Sequence, residues 1–160
     1  MVRAFSVLDA SGIIRGSLDF TRGNYLVPKA VLDEILGETT KCALEEAIRR
    51  GDIHVIEPGE KSLRKVVDAA KETGDIKSLS KADLDVLALA VERKAEIVSD
   101  DYAVQNTATK LKLKTQATTH RGIRREITWV WACIGCGKRM EGPGECAVCG
   151  HTARKKPLKP

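Results

Sequence analysis

Two sets of side chains in this 160-residue chain have the types and spacing to do chemistry. The first is a pair of cysteine knuckles, Cys133-Ile-Gly-Cys136 and Cys146-Ala-Val-Cys149, nine residues apart. Each knuckle places two thiolates on one turn, and Gly137 and Gly150 let the backbone fold back beneath a metal. Together they offer the closed tetrahedral sulfur shell that structural zinc prefers, so one structural Zn2+ is expected. A shell filled by four sulfurs leaves no position for water and is not catalytic. Cys42, alone on a helical stretch, reads as core filler.

The second set is acidic. The apolar run Ala4–Leu8 ends abruptly in Asp9, and Glu96–Ser99 ends in Asp100-Asp101. If these are parallel neighbouring strands, both acids emerge at one edge of a sheet. Asp83 lies in the first turn of a helix from Ser80 and can point inward, whereas Asp85 is about 200° round that helix, toward solvent. Glu34 precedes Ile35 on a helix whose Val31 and Ile35 face the core. Each acid also has a local use: Asp9 suits a turn, Ser80-x-x-Asp83 resembles a capping box, and Asp100 or Asp101 can cap the next helix. Converging, they would repel one another unless a cation joined them. An oxygen-only set favours Mn2+ or Mg2+, which can hold a phosphodiester and generate hydroxide.

Helices alternating with short strands must position these acids. Helices are expected over Lys29–Gly37, Thr39–Arg50, Glu60–Thr73, Lys81–Lys94 and Tyr102–Lys112. Strands are expected at Ala4–Leu8, Ile53–Ile56, Glu96–Ser99, near Lys114–Thr118, and at Ile127–Ala132. Gly12–Val27 reads as a loop. On the helix from Ser80, Leu84, Leu87, Ala88 and Val91 make one core-facing stripe. The pattern indicates an α/β fold, three layers with a mostly parallel sheet.

Net charge is +5, but residues 120–160 carry nine Lys/Arg against three acids, and the remainder is slightly negative. A polyanion-binding role is therefore expected of the C-terminal quarter alone. Arg121, Arg124, Arg125, Lys138, Arg139, Arg154, Lys155 and Lys156, with Trp129 and Trp131 on one face of a strand, suit looped or single-stranded RNA. The chain divides into a main domain at 1–118, a basic linker at 119–127, a β-rich cysteine module at 128–152 and a basic tail at 153–160, read as disordered. No stretch approaches a membrane span and no secretory leader is apparent, so a cytoplasmic protein with no membrane partner is expected.

Val7-Leu-Asp9-Ala-Ser-Gly-Ile-Ile-Arg-Gly16, Val31-Leu-Asp-Glu34-Ile, Leu79-Ser-Lys-Ala-Asp83 and Ile97-Val-Ser-Asp100-Asp-Tyr-Ala-Val-Gln-Asn106 resemble the motifs of PIN-domain nucleases. With a four-cysteine zinc ribbon following, the chain resembles the NIN-one-binding protein family, in its compact archaeal form. The resemblance implies a metal-dependent endoribonuclease that cuts precursor small-subunit ribosomal RNA at its 3′ end, with the pre-ribosomal particle as partner. It also implies that Asp9, Glu34, Asp83 and Asp100 form the Mn2+/Mg2+ site, with Asp101 the secondary candidate. The alternatives are a PIN nuclease acting on other RNA, or an RNA-binding assembly factor without catalysis.

Overall fold

The computed structural model describes residues 4–15, 18–119 and 126–158. Five parallel strands, β1 (Phe5–Leu8), β2 (Asn24–Val27), β3 (Ile53–Val55), β4 (Glu96–Val98) and β5 (Thr115–Gln116), form one sheet in the order β3-β2-β1-β4-β5. The chain leaves β1 first toward β2 and β3, and later crosses back to β4 and β5. Right-handed crossovers in opposite directions put helices on both faces, which gives the expected three layers. The order reverses between β1 and β4, where open α/β sheets leave a crevice at the strands' carboxyl ends.

Six helices connect these strands: α1 (Ala10–Arg15), α2 (Lys29–Glu34), α3 (Glu38–Arg50), α4 (Glu60–Thr73), α5 (Lys81–Arg93) and α6 (Tyr102–Lys110). Gly12–Val27 is not a plain loop, because it contains most of α1, a 3-10 turn at Phe20–Arg22 and the whole of β2. Ser-Gly is poor helical sequence, and tertiary packing overrides it. A Cβ on Gly12 would stand 2.6 Å from the Val98 carbonyl oxygen, so α1 can lie against β4 only with glycine there.

The helix α5 is buried nearly all round rather than along one stripe. Val86, Leu87, Ala88, Leu89 and Ala90 are all sealed, while Leu84 and Val91 are only partly covered. Asp85 was expected in solvent but is 2% exposed, its charge met by Lys81 Nζ at 2.6 Å. The cause is the same: α2, α4 and α6 all pack on α5, leaving it no polar side. Cys42 is exposed on α3 and does not fill the core.

A second, antiparallel sheet joins β6 (Trp129–Cys133), β7 (Arg139–Met140) and β8 (Ala153–Pro157) in the order β7-β6-β8. The tail expected to be disordered thus supplies β8, paired to β6 through five residues from Cys133↔Ala153 to Trp129↔Pro157. Its basic composition hid a strand that the neighbouring apolar β6 templates. Asn106 docks this sheet on the main domain. Its side chain donates to the Ile127 carbonyl and accepts from the Ile127 N–H, both at 2.5 Å, and also donates to buried Asp75 at 2.6 Å. Gly74, at φ +77°, admits the Trp129 carbonyl, which a Cβ would approach to 2.3 Å. Among the described residues no helix is long and apolar enough to cross a membrane.

Candidate active site and metal centre

Asp9 leaves the sheet at the end of β1, beside the end of β4. The register Leu8↔Val98 puts the two strand ends level, and the Asp9 N–H continues the pairing to the Val98 carbonyl. Asp9 is 2% exposed, and its oxygens are fully engaged. Oδ1 accepts from the Ala10 N–H at 2.8 Å, while Oδ2 accepts from the hydroxyls of Ser11 at 2.6 Å and Ser99 at 2.7 Å. Each serine oxygen in turn accepts a backbone N–H, Ser11 from Asp100 and Ser99 from Asp101. Two hydroxyl bridges therefore staple Asp9 to the neighbouring end of β4 and fix its carboxylate. Sequence reading missed both serines, although each sits within two residues of a candidate acid.

A second linked pair comes from the helices. Ser80 begins α5 with a capping box: its hydroxyl accepts the Asp83 N–H, and Asp83 Oδ2 accepts the Ser80 N–H at 2.7 Å. The same Ser80 hydroxyl donates to Glu34 Oε1 at 3.3 Å, so Glu34 and Asp83 are tied through one serine. Burial lifts the Asp83 carboxyl to about 6; the Ser80 donors oppose this, and the charges of Asp9 and Asp101 add to it. The acids of β1, α5 and the strand-end pair thus feel one another electrostatically.

The strand-end pair divides its work. Asp100 is 3% exposed and accepts from the Thr118 and Thr119 N–H groups at 2.7 and 3.1 Å and from the Thr118 hydroxyl. Burial pushes its carboxyl up, but those donors outweigh it and hold it below the usual range. Asp101 caps α6, with Oδ1 accepting from Ala103 and Val104. The charge of Asp101 reaches Asp83. The cap and the cluster member are therefore one residue, and capping does not exclude a second use.

The four cysteine sulfurs come together with all ligand atoms within 4.8 Å. Cys133 and Cys149 Sγ lie 3.2 Å apart, and Cys136 and Cys146 Sγ 3.7 Å. A tetrahedron with metal–sulfur bonds of about 2.3 Å has an edge of about 3.8 Å, so the cluster can hold a metal ion. The N–H groups of Cys136, Val148 and His151 lead in lowering the thiols of Cys133, Cys146 and Cys149, the last to about 7. Cys136 moves the other way, to about 11, since the Lys138 N–H is outweighed by the thiols around it. Four thiolates cannot share this space without a cation.

Alternation along β8 sorts the basic residues. Arg154 faces Ala132, which also faces Arg139, so Arg139, Arg154 and Lys156 share one exposed face of the small sheet. Lys155 points the other way, with Trp129 and Trp131, toward the main domain. Lys138 is exposed at the turn before β7. Arg121, Arg124 and Arg125, with most of the expected linker, lie outside the described residues.

The family model described as "PIN domain of ribonuclease" matches residues 6–92. Endoribonuclease Nob1 of Pyrococcus abyssi is 47% identical over 156 residues, covering 96% of this chain and 94% of that protein. Ribonuclease VapC1 of Thermoplasma acidophilum is 35% identical over 150 residues, 93% of this chain and 76% of that one. The 20S-pre-rRNA D-site endonuclease nob1 of Schizosaccharomyces pombe is 36% identical over 106 residues, 62% of this chain and 26% of a longer protein. The parallel sheet with acids at its switch point, the four-cysteine ribbon behind it and near full-length likeness agree: the chain belongs to the NIN-one-binding (Nob1) family of PIN-domain endoribonucleases.

Proposed function

We propose that this endoribonuclease cuts single-stranded precursor rRNA at the 3′ end of the small-subunit rRNA during ribosome maturation, within a pre-ribosomal particle. The observation that carries the site assignment is the pair of serine bridges aligning Asp9 with the Asp100-Asp101 strand end opposite Glu34-Ser80-Asp83. Asp9, Glu34 and Asp83 would hold Mn2+ or Mg2+ together with the strand-end pair. Within that pair Asp100 also braces Thr118 and Thr119, and Asp101 also caps α6. Such an ion would supply charge neutralisation at the scissile phosphate and make water a stronger nucleophile there, chemistry that suits hydrolysis to a 3′-hydroxyl and a 5′-phosphate. Ser11, Ser99 and Ser80 keep the carboxylates oriented, so little rearrangement is needed when RNA arrives.

The four cysteines would hold one structural Zn2+, and a cytoplasmic setting keeps such thiols reduced. The Arg139–Arg154–Lys156 face, with Lys138 and the arginines at 121, 124 and 125, would grip the rRNA. A slightly acidic main domain needs affinity from elsewhere, because phosphate contacts dominate nucleic-acid binding. The Schizosaccharomyces relative, a 20S-pre-rRNA D-site endonuclease, supports the substrate class. The test maps the ends produced from a precursor rRNA fragment with Mn2+, beside transfer and messenger RNA controls at one salt concentration. Asp9→Asn is expected to abolish cutting while RNA affinity stays within about twofold. Cutting retained by that variant overturns the site, and equal cutting of the control RNAs overturns the substrate.

A further inference from the structure

One feature is used neither by cutting nor by the basic face. A cavity of about 550 Å3 lies where the small sheet meets the main domain, lined by Asp75, Ser78, Tyr102, Ala103, Ile127, Trp129 and Lys155. Its size falls in the range of small-molecule sites. We propose that it is a nucleobase subsite, taking one unpaired base of the RNA against the Tyr102 and Trp129 rings, next to the cutting acids. The proposal rests on the chain being an RNA-cutting enzyme.

Position is the first reason. Tyr102 and Ala103 open α6 directly after Asp101, and the Ala103 N–H donates to Asp101 Oδ1 at 2.7 Å. A wall of the cavity is thus hydrogen-bonded to one of the clustered carboxylates, and a base held there keeps its own backbone beside them. The opposite wall, Trp129 and Lys155, belongs to the sheet whose far face carries Arg139, Arg154 and Lys156. The cavity therefore has the helix capped by Asp101 on one side and the sheet that carries the basic face on the other.

Electrostatics give the second reason. Lys155 Nζ stands 5.7 Å over the Trp129 ring, 2.9 Å from the Ser78 hydroxyl and 3.4 Å from Asp75 Oδ1. Asp75 is 1% exposed, so its carboxylate answers the ammonium inside the wall. The cation is already matched, and a phosphate gains little here. A flat neutral ring gains stacking area on Tyr102, which is 56% exposed, and on half-buried Trp129. Such stacking accepts any base, since every base offers a π-face.

The test measures equilibrium binding of short single-stranded RNA spanning the precursor junction, by fluorescence anisotropy, with no Mn2+ or Mg2+ added so that the RNA stays whole. A single abasic nucleotide is walked along the strand. One position is expected to weaken binding to the unaltered chain by about 5- to 100-fold, the range for loss of a stacked base. That penalty should shrink below about twofold in Tyr102→Ala and persist in Tyr102→Phe, which keeps the ring. In Trp131→Phe, whose remaining tryptophan is Trp129, intact RNA should quench the emission and the abasic RNA should not. A flat scan, or an equal penalty in Tyr102→Ala, overturns the subsite. Because binding is read without cleavage, failure of the cutting assignment would show separately, as no ends produced with Mn2+.

Discussion

Asp83→Asn tests whether the acids are held together at a cost that a cation relieves. In the folded chain the Asp83 carboxyl is raised from 3.8 to about 6, by burial first and then by Asp9 and Asp101. That corresponds to about 3 kcal/mol at 1.36 kcal/mol per pH unit. Asp83 is only half-buried and solvent screens it, so about 1–2 kcal/mol is the expected size. The raised value means that the fold favours the protonated form. The penalty is therefore absent below about pH 4, grows as pH rises through 6, and is complete at pH 7.5. Asparagine imitates the protonated acid, so without Mn2+ or Mg2+ the variant should be more stable than the parent at pH 7.5. Thermal unfolding should show a gain of about 2–8 °C at pH 7.5 that vanishes near pH 4. Mn2+ at a hundredfold excess over its dissociation constant should stabilise the parent by about 2.7 kcal/mol and the variant by much less. A variant no more stable than the parent at pH 7.5, or a gain independent of pH, refutes the reasoning.

Three further outcomes follow from the same structure. Asp100→Ala removes the acceptor for Thr118 and Thr119 and should cost about 1–3 kcal/mol in metal-free urea unfolding, whereas Asp101→Asn keeps a good cap, stays within about 1 kcal/mol, and loses Mn2+-stimulated cleavage. Gly74→Ala puts a methyl against the Trp129 carbonyl at a positive φ and should cost about 1–3 kcal/mol, read as faster hydrogen exchange in β6 with α5 unchanged. Replacing Arg139, Arg154 and Lys156 together by alanine should reduce the slope of log affinity against log salt by about 2 for single-stranded RNA, at about 0.7 per phosphate contact.

Much of the site is legible in the chain because its signals are local. Asp9 and Asp100 each end a short apolar run, and two cysteine knuckles identify a metal shell without knowledge of the fold. The helix over Lys81–Arg93 is marked by its own periodicity and by the Ser80 cap. The misreadings share a cause as well. α1 and β8 have contrary local sequence, and each exists because a neighbour completes it: the Val98 carbonyl against Gly12 for α1, and β6 for β8; β2 is strand-forming at Tyr25-Leu-Val27 but too short between Gly23 and Pro28 to stand out without β1 beside it. Asp85 was misplaced because periodicity reports one buried face, and α5 has helices packed around it.

By itself the amino-acid order determined the kinds of chemistry present: hard oxygen ligands in the first two thirds, four sulfurs and a positive excess in the last. Those depend on residue type and on spacing within single turns. Which carboxylates face one another, that Ser11 and Ser99 staple two strand ends, and that Asp83 feels the charges of Asp9 and Asp101 were decided only in three dimensions. So was the cavity between Tyr102 and Trp129, residues far apart in the chain. The physical reason is range. Ligand spacing and capping act across a few residues, whereas strand order, burial and Coulombic coupling depend on which distant segments the packed core brings into contact.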